Sequence, residues 1–304
     1  MPAGMSWHDY NESLVERGRM LFDLGFASSW KKELKSMNKH KVGKPFDFPD
    51  SYIEFLGFIK VGFHAPYRIV EGAIEALSEY ISFIKDICFT QIRRRILRLM
   101  KGKKPSEIIG ASTDGSSSEP ITAIVDSTGL TTTTKGAYIE DKWKKEKRKF
   151  LKLHILADKK TGKIRGFRVT SEHTGDSKKF VPLVKEASKK GKKIAKVYGD
   201  SAYDARKNFN LLDELEIEPA IKIRKNARTL SRGSPLRREE TVLTKKLGLE
   251  GWKKLKDYGK RWIAEIVFSS FKRVLGETLR SRKFLCQKAE ASLKVMLYNR
   301  FLSA

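Results

Sequence analysis

The 304-residue sequence has few of the residues that build disulfide-linked or zinc-linked folds. It contains two cysteines, Cys88 and Cys286, far apart in the chain, and five histidines without the paired spacing of a zinc site. It also lacks a run of about 18 uncharged apolar residues, and its first residues lack the basic-then-apolar order of a signal peptide. We therefore expect no disulfide framework, no membrane span and a reducing, cytoplasmic location.

Acidic residues are scarce relative to basic ones. Lysine and arginine number 63 and aspartate and glutamate 36, which gives a formal net charge of +27. The excess is uneven, since residues 1–118 hold 18 basic and 14 acidic side chains while residues 119–304 hold 45 and 22. A folded domain with this imbalance needs a polyanion nearby, and nucleic acid is the usual one. A lysine-rich surface that serves only solubility is the alternative.

Residues 1–118 have the apolar spacing of helices. After a helical pattern at 66–84 and a short break comes "FTQIRRRILRLMKGKK", a second helical pattern that is rich in arginine. Two helices joined by a short turn, the second basic, resemble a helix-turn-helix. We therefore expect an all-helical N-terminal region whose DNA contacts come from Arg93, Arg94 and Arg98. Any basic amphipathic helix would have the same pattern.

The texture of the sequence changes after the stretch "ASTDGSSSEP" (111–120), which is the clearest linker in the chain. Beyond it the order is strand, hairpin, helix, strand, helix, strand, basic insertion and helix. This order predicts an α/β fold with a mixed sheet and helices on its faces. The basic insertion spans about residues 224–257, and the stretch 222–238 contains no acidic residue. We expect it to contact the phosphate backbone through Lys222, Arg224, Lys225 and Arg228, with a solvated loop as the alternative.

Two carboxylates follow short apolar runs. Asp126 comes after Ile124 and Val125, and Asp200 comes after "VYG". If the two strands are neighbours, these carboxylates converge, and like charges at close range recruit a divalent cation. With Glu265 as a third member the ligands are oxygen only, which suits Mg²⁺ or Mn²⁺, and a pair of such ions can catalyse phosphoryl transfer. Turn or capping roles are the alternative, and the open rivals are Asp204 for the second position and Glu277 and Glu290 for the third.

The stretch "YGKRWIAEIVFSSFK" (258–272) has helical apolar spacing together with a polar face. In one α-helix its four polar residues fall within an arc of about 60°; they are Tyr258, Arg261, Glu265 and Lys272. The predicted buried stripe lies opposite and comprises Ile263, Val267, Phe271 and Val274. An ordinary amphipathic surface helix is the alternative for this segment alone.

Together these motifs resemble a known family. "IVDSTGL", "KLHILAD", "TGKI", "VYGDSAYD" and the spacing Tyr258-x2-Arg261-x3-Glu265-x6-Lys272 resemble the DDE transposases of bacterial and archaeal insertion sequences. The similarity is close to the IS-five group of the IS-four/IS-five superfamily, and "WHDYNESLVERG" and "FHAPYRIVEG" are similar to the same group. The resemblance implies an RNase H-like catalytic domain over residues 119–304, after the helical region 1–118.

The resemblance also implies the site and the reaction. Asp126, Asp200 and Glu265 would be the catalytic, metal-binding triad, and Tyr258, Arg261 and Lys272 would lie near the DNA strand. We expect an insertion-sequence transposase, an endonuclease that cuts element ends and transfers the 3′-hydroxyl end to target DNA during transposition. We expect two Mg²⁺ or Mn²⁺ ions, double-stranded DNA with terminal inverted repeats as partner, a homodimer in the active complex, and a cytoplasmic, nucleoid-associated location.

Two other functions stay open at this point. One is a non-catalytic DNA-binding regulator, and the other is an RNase H-like nuclease without strand transfer. Mg²⁺-dependent nicking would separate the enzymes from the regulator, and joining of a 3′-hydroxyl end to a target would separate the transposase from the nuclease.

Overall fold

The computed structural model describes residues 6–110, 119–132, 150–188 and 193–303. These residues form two compact units. The helical unit comprises the described residues up to Lys104 together with those from Val274 onward, and the sheet unit comprises Pro105–Arg273. The compact units thus differ from the predicted domains, 1–118 and 119–304. Most of the predicted linker, residues 111–118, lies outside the described residues.

The helices of the described chain are numbered in chain order. They are α1 Trp7–Leu21, α2 Phe26–Asn38, α3 Asp50–Gly62, α4 Tyr67–Ser78, α5 Phe89–Gly102, α6 Pro105–Gly110, α7 Ser177–Ser188, α8 Arg206–Glu214, α9 Pro235–Lys256, α10 Ile263–Leu275 and α11 Phe284–Phe301. The strands are β1 Ile121–Thr131, β2 Phe150–Asp158, β3 Ile164–Ser171, β4 Ile194–Gly199 and β5 Glu218–Ile221. Two 3₁₀ turns are Ser201–Tyr203 and Tyr258–Trp262.

Helices α3 and α11 form the centre of the helical unit. Nearly every residue from Tyr52 to Val61 and from Cys286 to Asn299 is buried. α3 is largely apolar, whereas α11 also buries polar side chains, among them Glu290 and Lys294. α11 packs against α3 and α5. The last helix, predicted as part of the catalytic domain, therefore belongs to the compact unit of the N-terminal helices, because a helix buried on all sides needs partners on all sides.

No helix in the described residues is long and apolar enough to cross a membrane.

Helices α4 and α5 are the pair predicted to form a helix-turn-helix. Residues 79–88 separate Ser78 from Phe89. The turn of that motif has only about three or four residues. The short turn that the sequence predicted between these two helices is therefore not present.

The sheet unit is built on a mixed sheet. In the described residues it has five strands in the order β3-β2-β1-β4-β5. β1, β2 and β3 are antiparallel neighbours, while β4 and β5 run parallel to β1. The β2–β3 hairpin turns at Gly162, which has a φ of 69°, and the Asp158 carboxylate accepts hydrogen bonds from the Lys160 N–H and the Thr161 hydroxyl. This is the predicted RNase H-like α/β arrangement, an antiparallel meander extended by parallel strands.

Helices cover both faces of the sheet. One core, formed with α7 and α8, includes Val125 and Phe209, and the core on the other face includes Ile124 and Trp252. Neighbouring residues of a strand point to opposite faces. Asp126 therefore shares its face with Ile124, the side of the sheet on which α9 and α10 pack.

The predicted basic insertion, around 224–257, is largely helical. α9 begins at Pro235 and is interrupted by non-helical geometry at Gly248. Its second half is anchored by the fully buried Trp252, whose Nε1 donates to Glu240 Oε2 over 3.0 Å. Lys256 Nζ lies 2.8 Å from the other oxygen of Glu240. This part of the insertion is thus integrated into the core of the sheet unit.

The stretch predicted as one helix over 258–272 consists of two elements. A 3₁₀ turn, Tyr258–Trp262, precedes α10, and Asp257 before it has left-handed geometry with a φ of 53°. A 3₁₀ helix has about three residues per turn instead of 3.6, so residues before Ile263 leave the face that α-helical spacing predicts. Val267 and Phe271 of the predicted stripe are buried, whereas Ile263 is only partly buried.

Candidate active site

Asp126 and Asp200 lie beside each other where β4 ends. The parallel pairing places Ile124 opposite Tyr198, and β4 ends one residue later at Gly199. In this register, Asp126 is level with Asp200. The structure thus brings the two carboxylates to one end of β4.

Asp126 does not end its own strand, which corrects the prediction. β1 continues to Thr131 and stays paired with β2 over that length. The strand that ends is its parallel partner β4, so the edge of β1 on that side opens at Asp126. The pattern of an apolar run followed by a carboxylate identified the position but not its cause.

Asp200 directly follows β4 and shapes the turn after it. Its Oδ1 accepts a hydrogen bond of 2.8 Å from the Ala202 N–H. A Cβ at the preceding Gly199 would lie 3.3 Å from the ring of Tyr203. Glycine at this position therefore lets the turn fold back closely onto the strand, and the Ala202 N–H orients the Asp200 carboxylate.

The Asp126 carboxylate is largely buried and carries two hydrogen bonds. Oδ1 accepts from the Ser127 N–H over 2.8 Å, and Oδ2 lies 3.0 Å from Arg261 Nη1. Burial raises the pKa of Asp126, and the charges of Asp200 and Asp176 raise it further, whereas the Ser127 N–H and Arg261 lower it. The charges of Asp200 and Asp176 are therefore close enough to disfavour the ionised form of Asp126.

Arg261 links this pair to Glu265. Its Nη2 lies 3.5 Å from Glu265 Oε1, in the first turn of α10. The Glu265 side chain is 70% exposed, whereas Asp126 is 20% and Arg261 25% exposed. The guanidinium thus lies between two carboxylates and compensates part of their charge. This differs from the predicted placement of Arg261 against DNA.

The donor set can be compared with the requirements of a divalent metal ion. Aspartate and glutamate oxygens suit Mg²⁺ and Mn²⁺. Burial is the largest cause of the raised pKa of Asp126, and the charges of Asp200 and Asp176 add to it, so a cation at this position would favour the ionised carboxylate. In this conformation, no three histidine, cysteine or acidic side chains of the described residues are grouped closely enough to hold an ion. The carboxylate oxygens of Asp126, Asp200 and Glu265 thus fit such an ion in chemistry, whereas in the conformation described Arg261 supplies the positive charge beside Asp126 and Glu265.

The family is shown by comparison with known proteins. A family model described as "Transposase DDE domain" matches residues 117–300, more than half of the chain. The chain belongs to the DDE transposase family. A second model of the same description matches residues 15–135 of the transposase. Assignment to the IS-five group stays a prediction.

A solved structure is also similar to this transposase. It is the cryo-EM structure of the piggyBac transposase synaptic complex with hairpin DNA. The match covers 95% of this chain and 74% of that chain, with 10% sequence identity and a TM-score of 0.45.

Tyr258 of the transposase occupies a different position from the one predicted. It is 8% exposed, and its hydroxyl donates to the Gly199 carbonyl over 3.0 Å. Its ring packs against Trp252, with 5.1 Å between the ring centroids. In this conformation the Tyr258 side chain packs in the core and hydrogen-bonds to the last residue of β4 instead of facing DNA. The 3₁₀ turn rotates it into the core.

The segment after β5 runs beside the site. The Lys222 N–H donates to the Gly199 carbonyl over 3.2 Å, and Arg224 Nε donates to the Ser201 carbonyl over 3.1 Å. Lys225 and Arg228 are exposed. Lys222 and Arg224 thus border the turn that carries Asp200.

Lys272 lies in the last turn of α10, whereas Glu265 lies in the first turn. It is partly buried in the last turn of α10, seven positions after Glu265. Seven residues of α-helix span about two turns. The break at Ile263 means that Lys272 and Arg261 do not share one continuous helical face.

The three arginines predicted to contact DNA lie on α5 of the helical unit. Arg94 and Arg98 are exposed, and the Arg98 guanidinium is 4.3 Å from the centre of the Phe46 ring. Arg93 is partly buried and hydrogen-bonds to Cys286, a contact that raises the pKa of Arg93. Of the three, Arg94 and Arg98 have the exposure that a DNA contact requires.

Two of the three rival carboxylates, Asp204 and Glu290, are buried in ion pairs. Asp204 is buried and receives two hydrogen bonds from Arg237, of 2.6 and 3.0 Å, and one from the Arg224 N–H. Glu290 is buried in the helical unit, with Lys60 Nζ 3.0 Å from its Oε2. Glu277 also belongs to the helical unit. Asp204 is thus held by Arg237 and the Arg224 N–H, and the two glutamates belong to the other compact unit.

Sequence reasoning missed Asp176 as a member of this neighbourhood. It directly precedes α7. Its charge raises the pKa of Asp126. The signal that could have found it is topological: in a β1-β2-β3 meander, β3 ends at the same edge as the end of β1, and Asp176 follows β3 by five residues.

Proposed function

We propose that this transposase cleaves DNA strands at the ends of its element and joins the 3′-hydroxyl end to target DNA. The observation that carries the proposal is the convergence of Asp126 and Asp200 at the end of β4, with Glu265 connected to Asp126 through Arg261. We assign the catalytic role to these three carboxylates, as ligands of two Mg²⁺ or Mn²⁺ ions. The resemblance of the sequence motifs supports the same residues.

When bound, paired divalent cations activate the attacking oxygen and stabilise the charge of the leaving oxygen. Backbone groups of the chain orient the carboxylates that would bind these cations. The Asp126 and Asp200 carboxylates are each oriented by a backbone N–H, from Ser127 and Ala202 respectively. Glu265 stands on a separate helix and is exposed, so it can adjust its position when DNA and cations bind.

Arg261 has two roles in this proposal. In the conformation described it compensates Asp126 and Glu265. With cations held by those carboxylates, the guanidinium would be free of that task and would bind a phosphate of the DNA strand. A guanidinium suits this role because its fork of donors matches phosphate oxygens.

The basic surface around the site supports DNA as the partner. Residues 119–304 contain 45 basic and 22 acidic side chains. Phosphate contacts from such a surface give most of the sequence-independent affinity. We propose that Lys222, Arg224, Lys225, Arg228 and Lys272 contact the backbone of double-stranded DNA near the carboxylates.

The helical region has a separate proposed role. Arg94 and Arg98 of α5, with Arg93 beside them, would read the terminal inverted repeats, because base contacts rather than phosphate contacts carry sequence information. A homodimer that holds two element ends in the cytoplasm, on the nucleoid, completes the proposal.

The test uses the full chain and duplex DNA from the terminal repeats that flank its gene. We expect Mg²⁺-dependent nicking at the repeat end, and joining of a pre-cut 3′-hydroxyl end to a target plasmid. Asp126→Ala, Asp200→Ala and Glu265→Ala should each reduce both reactions below detection while DNA binding in EDTA changes by less than about twofold, because phosphate contacts dominate affinity.

Asp213→Ala is the matched control, since Asp213 is an exposed carboxylate of α8 in the same unit. It should leave nicking and joining unchanged. Full nicking by one of the three site variants would remove that residue from the site. Binding of the repeats without nicking would favour the regulator, and nicking without joining would favour the nuclease.

A further inference from the structure

Asp176 reaches β1 from the face of the sheet opposite to Glu265. Its Oδ1 accepts a hydrogen bond of 2.9 Å from the Ser127 hydroxyl, and Lys152 Nζ lies 3.3 Å from the same oxygen. Ser127 follows Asp126 in a regular strand, so the two side chains point to opposite faces. Asp176 and Asp126 thus lie on opposite faces of β1, and the hydroxyl of Ser127 connects Asp176 to the strand beside Asp126.

Ser127 is the connection between the two carboxylates. Its backbone N–H donates to Asp126 Oδ1 over 2.8 Å, while its hydroxyl donates to Asp176. A side chain held on one face of the strand therefore fixes a hydrogen-bond donor that orients a side chain on the other. Outer carboxylates that fix ligand orientation in this way are known to influence metal affinity.

The surroundings of Asp176 are built for a fixed position. His154 pairs with Ser127 across β1 and β2 and is fully buried. Its Nε2 hydrogen-bonds to the Thr170 hydroxyl over 2.9 Å, and its Nδ1 lies 3.4 Å from Asp176 Oδ1 without hydrogen bonding to it. A buried nitrogen without a hydrogen bond costs free energy, and the Asp176 carboxylate is the charged group beside it.

A second buried polar atom faces the same neighbourhood. The Tyr203 hydroxyl is buried and makes no hydrogen bond in the described part of the chain. Burial and the charges of Asp126, Asp176 and Asp200 all raise the pKa of Tyr203. The buried Tyr203 hydroxyl is thus close enough to all three aspartates for their negative charges to affect it.

We propose that Asp176 is a positioning residue for the Asp126 carboxylate, acting through the Ser127 hydroxyl and thereby setting the affinity of the site for divalent cations. The inference rests on the proposed function of Asp126 as a metal ligand. Asp176 itself is assigned no contact with the cation, because its Oδ1 is engaged by Ser127 and Lys152 on the other face of the strand.

The test is a titration of the full chain with Mn²⁺ in the absence of DNA. The concentration of unbound Mn²⁺ is measured by electron paramagnetic resonance. Asp176→Asn and Ser127→Ala should each weaken Mn²⁺ binding by about tenfold, the lower end of the range for outer-shell partners. Because both variants break one connection, the double variant should be no weaker than either single variant. Ser127→Thr, which keeps the hydroxyl, should bind within about twofold of the unmodified chain.

Controls separate the possible outcomes. Asp213→Asn removes an exposed carboxylate of the same unit and should bind Mn²⁺ normally. Thermal unfolding verifies that each variant is folded, and if Asp176→Asn does not fold, Ser127→Ala and Ser127→Thr carry the test.

Three results would overturn the inference. Unchanged Mn²⁺ binding in Ser127→Ala would show that the hydroxyl does not position Asp126. A double variant about 100-fold weaker, with independent losses, would show that Asp176 does not act through Ser127. Absence of Mn²⁺ binding by the unmodified chain would refute the proposed metal site, and the inference with it, whereas a binding chain with unaffected variants refutes only the positioning role.

Discussion

Replacing Arg261 by alanine should tighten cation binding and weaken strand transfer at the same time. Arg261 Nη1 lies 3.0 Å from Asp126 Oδ2, and its Nη2 lies 3.5 Å from Glu265. A cation bound by these carboxylates has to displace the guanidinium. In Arg261→Ala that competitor is missing, so binding to the protein without DNA should improve.

The magnitude follows from exposure. Glu265 is 70% exposed, so its pair with Arg261 contributes almost nothing. Asp126 and Arg261 are 20% and 25% exposed. Two charges about 4 Å apart attract by about 4 kcal/mol at an effective dielectric constant of about 20. Exchange with water leaves about 1.5 kcal/mol net for a charge-assisted hydrogen bond of this kind, or about tenfold in affinity.

The assay is Mn²⁺ titration by calorimetry without DNA, beside strand transfer on pre-cut ends. Arg261→Ala should bind Mn²⁺ about tenfold more tightly, yet transfer about 100-fold more slowly, because a lost positioning contact costs rate even when the ligands are intact. Lys260→Ala is the control for charge alone, since Lys260 is exposed and pairs with Asp257. It should change Mn²⁺ binding by less than about threefold, as expected for a screened surface charge.

Weaker Mn²⁺ binding in Arg261→Ala would refute this reasoning, because it would mean that the guanidinium supports the cation site. Equal tightening in Lys260→Ala would mean that overall charge, and not displacement of Arg261 from Asp126, governs the affinity.

Two further predictions concern buried charges. Glu290→Gln should lower the free energy of urea unfolding by about 3 kcal/mol, because it leaves Lys60 buried without its counter-charge; the exposed Glu12→Gln is the control, and equal stability of the two variants would contradict it. Burial lowers the pKa of His154 to about 4, so its contribution is present above pH 6.5 and is lost as pH falls towards 4, by roughly 3 kcal/mol in total. The unmodified protein should therefore lose more stability than His154→Gln between pH 7 and 4.5, and parallel losses would refute the assignment.

The sequence by itself determined the order of elements in the sheet unit. Alternating apolar runs and turn residues predicted the β2–β3 hairpin around Gly162, and an apolar run followed by Asp200 marked the end of β4. These are local properties, since the period of side-chain burial differs between strand and helix and a glycine with positive φ marks a turn. The spacing of the Tyr258-to-Lys272 motif also predicted the family correctly at the level of DDE transposases.

Only the tertiary structure decided what the side chains contact. The change from 3₁₀ turn to α-helix at Ile263 places Tyr258 in the core and Arg261 against Asp126, a rotation that a uniform 100° per residue could not predict. Asp200 and Asp204 are four residues apart in the sequence. Asp204 is paired with Arg237, whereas Asp200 lies at the end of β4. Such partners come from distant parts of the chain, so their geometry depends on how strands register and helices pack, which no local pattern encodes.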